Sequence, residues 1–181
     1  MKGIFYGIGI GPGDPEHITL KAVRMMKEVD VIAAPGTDVK ETLAYRIAVQ
    51  AVPEIEQKEM LPIDMPMTMD KELLLKAHKS GAETIEKVLA EGKSVGFITL
   101  GDTTVYSTFS YLEKIVKEHG FETVYISGIT SFCAAAASLG IPLTEWQEPL
   151  HVIPAVHQLD DKLALDGSYV LMKSGRQMPK V

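Results

Sequence analysis

With 181 residues, 46% of them hydrophobic, the chain is long enough for one ample core or two small ones and has the composition of an ordinary globular protein. A formal charge of -6 argues against an extended phosphate-tracking surface, so nucleic acid is excluded as a first expectation. The single cysteine, Cys133, can form neither an intramolecular disulfide nor a zinc knuckle, and no stretch approaches the length of a membrane span; the chain reads as a cytosolic protein that does not enter membranes.

Apolar β-rich runs alternate with helical patterns, which predicts an α/β fold around a mostly parallel sheet. The amino terminus runs without a signal-like apolar core into a strand over Gly3 to Gly9. Asp14-Pro15 then offers an N-cap and a proline at the first helical position, and Ile18, Ala22, Met25 and Met26 supply that helix's apolar stripe. A second strand is expected over Val29 to Ala34, ended by Pro35-Gly36, and a second helix over Glu41 to Ala51 with Leu43, Ile47 and Ala51 on one face. The charge run Glu54 to Glu59 reads as a solvated loop overlapping a weak strand at Gln57 to Leu61. Asp70 caps a long helix to about Glu91, striped by Leu73, Ala77, Gly81, Ile85 and Val88. A strand over Ser94 to Leu100, a helix from about Val105 to His119 and a strand over Glu122 to Ser127 follow.

After Gly128 the texture changes. Phe132 to Leu139 is a small-residue helix closed by Gly140, followed by Pro142, Pro149 and Pro154, with short strands at His151 to Ala155 and Ser168 to Met172. We place a boundary between residues 120 and 121, giving an amino-terminal α/β domain with the glycine-rich loop and a carboxyl-terminal α/β domain. The second is short for a domain with its own core and reads as incomplete.

Three predicted strands end in glycine-bearing turns: Gly7 to Pro15, Leu100-Gly101-Asp102, and Ser127 to Ser131. In an open α/β sheet such exits converge on a ligand crevice. The first turn fails both the dinucleotide fingerprint and the Walker pattern: Pro12 or Asp14 stands where a third glycine belongs, and no Gly-Lys-Ser/Thr follows. Each remaining candidate has two readings. Asp102 either caps the following helix or meets a polar ligand, Thr130 and Ser131 either cap the next helix or bind, and Tyr106 either packs or works. Cys133 reads as a small buried hydrophobe and Trp146 as a packing residue, while His17, His78, His119, His151 and His157 show no metal-ligand spacing.

Tyr6 to Glu16, Thr19 to Ala22, Asp30 to Pro35, Gly101-Asp102 with Tyr106-Ser107-Thr108, and Gly128 to Phe132 with Ala134 to Ala136 together resemble the tetrapyrrole methylases. Within that family, Tyr106-Ser107-Thr108 and Ser138 to Leu143 are most similar to the precorrin-2 or cobalt-factor II C20-methyltransferases of cobalamin synthesis. The resemblance implies two α/β domains with the active cleft between them, a homodimer, and methyl transfer from S-adenosylmethionine to C20 of precorrin-2 or cobalt-factor II. By position it implies cofactor contacts from Pro12, Leu100, Gly101, Asp102, Val105, Thr130, Ser131 and Met172. The absence of a Cys/His cluster separately leads us to expect no protein-bound metal. Where the family reads Gly-Asp-Pro this chain has Thr103, so the turn loses a fixed φ.

A sulfonium is an activated methyl donor and a reduced tetrapyrrole an electron-rich nucleophile, so holding them in line is the main task. Asp102 and Tyr106 are the candidates for taking the C20 proton, and Arg46, Lys173 and Arg176 for meeting the substrate carboxylates. The alternatives are another methylase of the same fold, or a noncatalytic ligand-sensing module.

Overall fold

The computed structural model describes residues 2–66, 68, 70–154 and 165–173. They form two compact units, Met1–Ser131 and Phe132–Val181.

The first unit is built on a parallel sheet of β1 (Ile4–Gly9), β2 (Val31–Pro35), β3 (Glu59–Ile63), β4 (Val95–Thr99) and β5 (Glu122–Ile126), in the order β3-β2-β4-β1-β5. The central strands read as nearly unbroken apolar runs because both faces are covered. Ile8, Ile32, Ala34 and Ile98 pack on one side with α1 (Leu20–Glu28) and α2 (Leu43–Ala51). Phe5, Ala33, Val95 and Phe97 pack on the other with α3 (Lys71–Ala90) and α4 (Phe109–Glu118). Because β5 pairs with β1 from Ile4↔Glu122 to Ile8↔Ile126, it belongs to the first unit. The boundary expected after residue 120 therefore falls beyond β5, at Ser131.

Several local expectations are corrected. Asp14 does accept from the Glu16 N–H, but it caps only a 3-10 turn, Pro15–His17; α1 starts later, where the Thr19 hydroxyl accepts from Ala22 N–H at 3.2 Å. Leu43 and Leu73 face solvent; Ile47, Gly81 and Ile85 are buried as expected, joined by Ala44, Tyr45 and Ala48 on α2 and by Ala82 and Leu89 on α3. The charge run is no loop: Pro53–Gln57 is a 3-10 helix that buries Ile55 completely between its acidic neighbours. Asp70 does cap α3, accepting from Glu72 and Leu73 N–H.

Phe109 anchors the start of α4. Its ring lies 4.9 Å from that of Phe5 and edge-on to Tyr125 at 4.8 Å, and a Cβ on Gly7 would come within 2.5 Å of it. Tyr125 is also tied to α4 through Glu113, which accepts from its hydroxyl at 3.2 Å and from Thr123 Oγ1 at 2.7 Å. Burial first, and then the Glu113 charge, push the Tyr125 phenol above its ordinary pKa.

The second unit contains α5 (Ser131–Leu139), whose first residue closes the first unit, and a parallel pair, β6 (Leu150–Pro154) and β7 (Ser168–Met172). Gly140 ends α5 with φ +66, its N–H and that of Ile141 returning to Ala137 and Ala136. Cys133 is exposed rather than buried, and Trp146 is fully exposed rather than packed.

Candidate active site

The chain runs from β1 to β2 to β3 in one direction along the sheet and then from β3 through β4 to β5 in the other. The adjacent exits of β1 and β4 therefore lead to helices on opposite faces, α1 and α4, and the carboxyl edge between them is where open α/β sheets bind their ligands. This is where the sequence places its glycine turns.

The three turns meet there through their backbones. Gly11 and Gly101 exchange hydrogen bonds, at 3.3 Å and 2.8 Å, so the first turn is sewn to the second. The third sits against both: a Cβ on Gly128 would lie 2.2 Å from Gly101 O and 2.8 Å from Gly9 C. At the other end of the first turn, Thr19 Oγ1 donates to Ser127 O at 3.4 Å. Gly101 itself has φ +71, a conformation that glycine adopts without steric cost.

Asp102 is 8% exposed and acts as a staple. Its Oδ1 accepts from the Thr104 N–H at 2.7 Å and from the Thr104 hydroxyl, while Oδ2 accepts from the Gly128 N–H at 2.8 Å. It does not cap α4, which begins only at Phe109, where Ser107 Oγ accepts from the Phe109 N–H at 3.2 Å. Thr103, the residue standing in place of the family's proline, is completely buried and donates to Ile126 O at 3.2 Å.

The other predicted residues of this unit lie on the same edge. Pro12 follows the Gly11–Gly101 bridge, Leu100 exposes its side chain at the β4 exit, and Val105 is half-buried beyond Asp102. Tyr106 has φ +50, which costs a non-glycine residue roughly 1–2 kcal/mol. Thr130 Oγ1 is buried without a hydrogen-bond partner. A buried hydroxyl left in that state is costly, and a hydrogen bond to a ligand would remove that cost. His17 Nδ1 is in the same condition on the first turn; sequence reading missed it, since a lone histidine in a turn carries no spacing signal.

Residues 5–181 match the family Tetrapyrrole (Corrin/Porphyrin) Methylases. The chain belongs to the tetrapyrrole methylase family. It is 40% identical over 93% of its length to a probable cobalt-precorrin-2 C(20)-methyltransferase of Methanocaldococcus jannaschii, and spans 71% of that protein. Its fold matches the crystal structure of the cobalt precorrin-4 methyltransferase CbiF with a TM-score of 0.72, at 23% identity, over 98% of this chain and 72% of that one. It also matches uroporphyrin-III C-methyl transferase from Thermus thermophilus complexed with S-adenyl homocysteine, with a TM-score of 0.58 at 24% identity, over 86% of this chain and 60% of that one.

The remaining predicted residues of this tetrapyrrole methylase lie on other elements. Met172 is half-buried on β7, paired in register with Pro154. Arg46, on α2, is ion-paired with Glu41 at 2.5 Å and largely exposed, and Lys173 is an exposed residue with φ +58 just after β7. Arg176 and His157 lie outside the described residues. Among the described residues, no group of three or more His, Cys, Asp or Glu side chains is placed to hold a metal ion, and no helix is long and apolar enough to cross a membrane.

Proposed function

We propose that this chain transfers a methyl group from S-adenosylmethionine to C20 of precorrin-2 or of its cobalt-bearing counterpart, in cobalamin biosynthesis. The observation that carries the reading is the 40% identity, over nearly the whole chain, to a relative named for that reaction. Methyl transfer followed by mass spectrometry, with precorrin-2 offered with and without cobalt and the methylated carbon assigned by NMR, tests it. Methylation at another carbon would move the chain to a different methylase of the same fold.

The carboxyl edge suits the cofactor. Its backbone turns stand close because Gly9 and Gly128 carry no side chains, a Cβ on Gly13 would meet nothing within 4 Å, and Thr130 holds an unpartnered buried hydroxyl. When bound, S-adenosylmethionine supplies a methyl group already activated by its sulfonium. The residues proposed to hold it are Pro12, Leu100, Gly101, Val105, Thr130 and Ser131, with Leu100 offering apolar surface and Thr130 a hydrogen bond. Asp102 is assigned to keeping the second and third turns together, since both its oxygens already serve main-chain or hydroxyl donors. Held turns are what a positioning mechanism requires. S-adenosylhomocysteine at about 100 times its Kd is expected to stabilise the full chain by about 2.7 kcal/mol and so raise its thermal midpoint. No shift and no calorimetric binding would remove the cofactor assignment.

Tyr106 is assigned to relaying the C20 proton: its phenolic oxygen takes that proton as its own O–H proton passes to solvent. Its side chain is 43% exposed at the crest of the Asp102 to Thr108 segment, and its left-handed backbone is the kind of local strain that persists where a site needs it. Tyr106→Phe should leave affinity for S-adenosylhomocysteine and the thermal midpoint unchanged while lowering turnover by about a hundredfold, the contribution of a general base. Unchanged turnover would give the proton to solvent.

Two copies are proposed to associate in the cytoplasm. Leu73 and Leu75 on α3 and Tyr111 on α4 are each more than half exposed, apolar surface that a second copy would cover. Sedimentation at micromolar concentration distinguishes monomer from dimer.

A further inference from the structure

We propose that Thr103 is a positioning residue for the cofactor, its hydroxyl fixing the angle at which the third turn meets the second; this rests on the S-adenosylmethionine reading above. β4 and β5 are not neighbours in the sheet, because β1 lies between them. The ladder therefore joins each to β1 and neither to the other, and their exits must be registered by bonds that cross over the end of β1. Two successive residues make such bonds: Asp102 Oδ2 accepts from Gly128 N–H at 2.8 Å, and Thr103 Oγ1 donates to Ile126 O at 3.2 Å. Side chains this short can span the gap because the turns touch directly; a Cβ on Gly9 would come within 2.6 Å of Gly128 N and 2.8 Å of Gly101 O.

One bond fixes a distance and leaves a hinge. Two bonds, one to the last residue of β5 and one to a main-chain atom two residues further on, also fix the direction in which the chain leaves that strand, and that direction sets where Thr130 and Ser131 stand relative to Leu100 and Gly101. Thr103 is fully buried, so water cannot replace its acceptor if the segment swings away. The bond therefore opposes that motion. The threonine methyl fills the same buried position whether or not the hydroxyl is present, which makes the two contributions separable by substitution.

The test is calorimetric titration of S-adenosylhomocysteine into the full chain and into Thr103→Val, Thr103→Ala and Thr103→Ser, with thermal midpoints recorded alongside. Valine keeps the shape and alanine avoids any misplaced methyl, and both delete the donor. Each is expected to bind about tenfold more weakly, the worth of one hydrogen bond, with KM for S-adenosylmethionine raised and KM for the tetrapyrrole unchanged. Serine, which keeps the hydroxyl, should stay within about twofold of the parent, well inside the effect of that lost bond. Deletion variants that lose thermal stability yet bind like the parent would reduce Thr103 to a structural residue, and a serine variant as weak as the deletions would assign the effect to methyl packing. Both results overturn the proposal. A parent chain that does not bind the ligand would instead overturn the cofactor reading on which it rests.

Discussion

Gly128→Ala is expected to destabilise the first unit by about 3 kcal/mol, the upper end for overpacking, and to abolish binding of S-adenosylhomocysteine. The added Cβ would stand 2.2 Å from Gly101 O, a backbone atom itself held by the hydrogen bond from Gly11 N–H. It would also meet Gly9, the last residue of the interior strand β1. No flexible side chain can yield there, so the third turn must move away from the other two. That motion breaks the Asp102 contact with the Gly128 N–H and carries Thr130 and Ser131 with it. For a chain of this size the thermal midpoint should fall by about 10 °C. Gly9→Ala closes the same contact from the opposite side and should behave alike. Gly13→Ala is the control: nothing lies within 4 Å of its Cβ, and its stability should change by less than about 0.5 kcal/mol. Calorimetric midpoints of the three variants check the set, and a Gly128 variant as stable as the Gly13 variant would show that the turns do not depend on direct backbone contact.

What the sequence discloses and what it hides divide along the range of the interactions. Ser168 to Met172 was legible as a strand to the residue; β1, β2 and β4 were nearly so, because strands covered on both faces need a continuous apolar run. The Asp70 cap of α3 was equally plain, since it involves residues two and three positions away. Helical periodicity finds a helix without saying which side it buries. Leu43 and Leu73 are apolar residues at helical spacing that face solvent, and only the packing of α2 and α3 on the sheet determines this. The late start of α4 was hidden for a related reason. Residues 103 to 108 have no strong breaker, but the burial of Phe109 against Gly7 and Phe5 of β1, Phe97 of β4 and Tyr125 of β5, contacts assembled from distant sequence, sets where the helix begins. In the candidate site, the three glycine turns were recognisable one by one. Their mutual contact depends on the order β4-β1-β5, which a single sequence does not display. The roles of Asp102 and Thr103 as bridges over β1 follow from that order alone, which is why Asp102 read from sequence as a helix cap or a ligand contact and not as a bridge.

Asp102→Ala should accordingly cost more than a lost cap. A cap removed from an exposed helix end costs about 1 kcal/mol, whereas here truncation leaves the Gly128 N–H without its acceptor in a part-buried junction, at about 1–3 kcal/mol, and releases Thr104 as well. We expect a total near 2–3 kcal/mol and a loss of affinity for S-adenosylhomocysteine of at least tenfold. Asp102→Asn separates the two readings of this carboxylate. Its amide oxygen can still accept from Gly128 N–H, and its NH2 group can donate to the Thr104 hydroxyl, but that NH2 then faces the Thr104 N–H donor to donor. Asparagine should thus fall between aspartate and alanine in both midpoint and affinity, with turnover at saturating cofactor close to the parent. A general base predicts a different ordering: asparagine, unable to take a proton, would match alanine in lost turnover while its cofactor affinity stayed intact. That ordering would return Asp102 to the chemistry and leave Tyr106 without the role assigned to it. Equal affinity and equal midpoint in all three chains would show instead that the Gly128 bond carries no load, and the positioning of the third turn would have to rest on Thr103 and the glycine contacts.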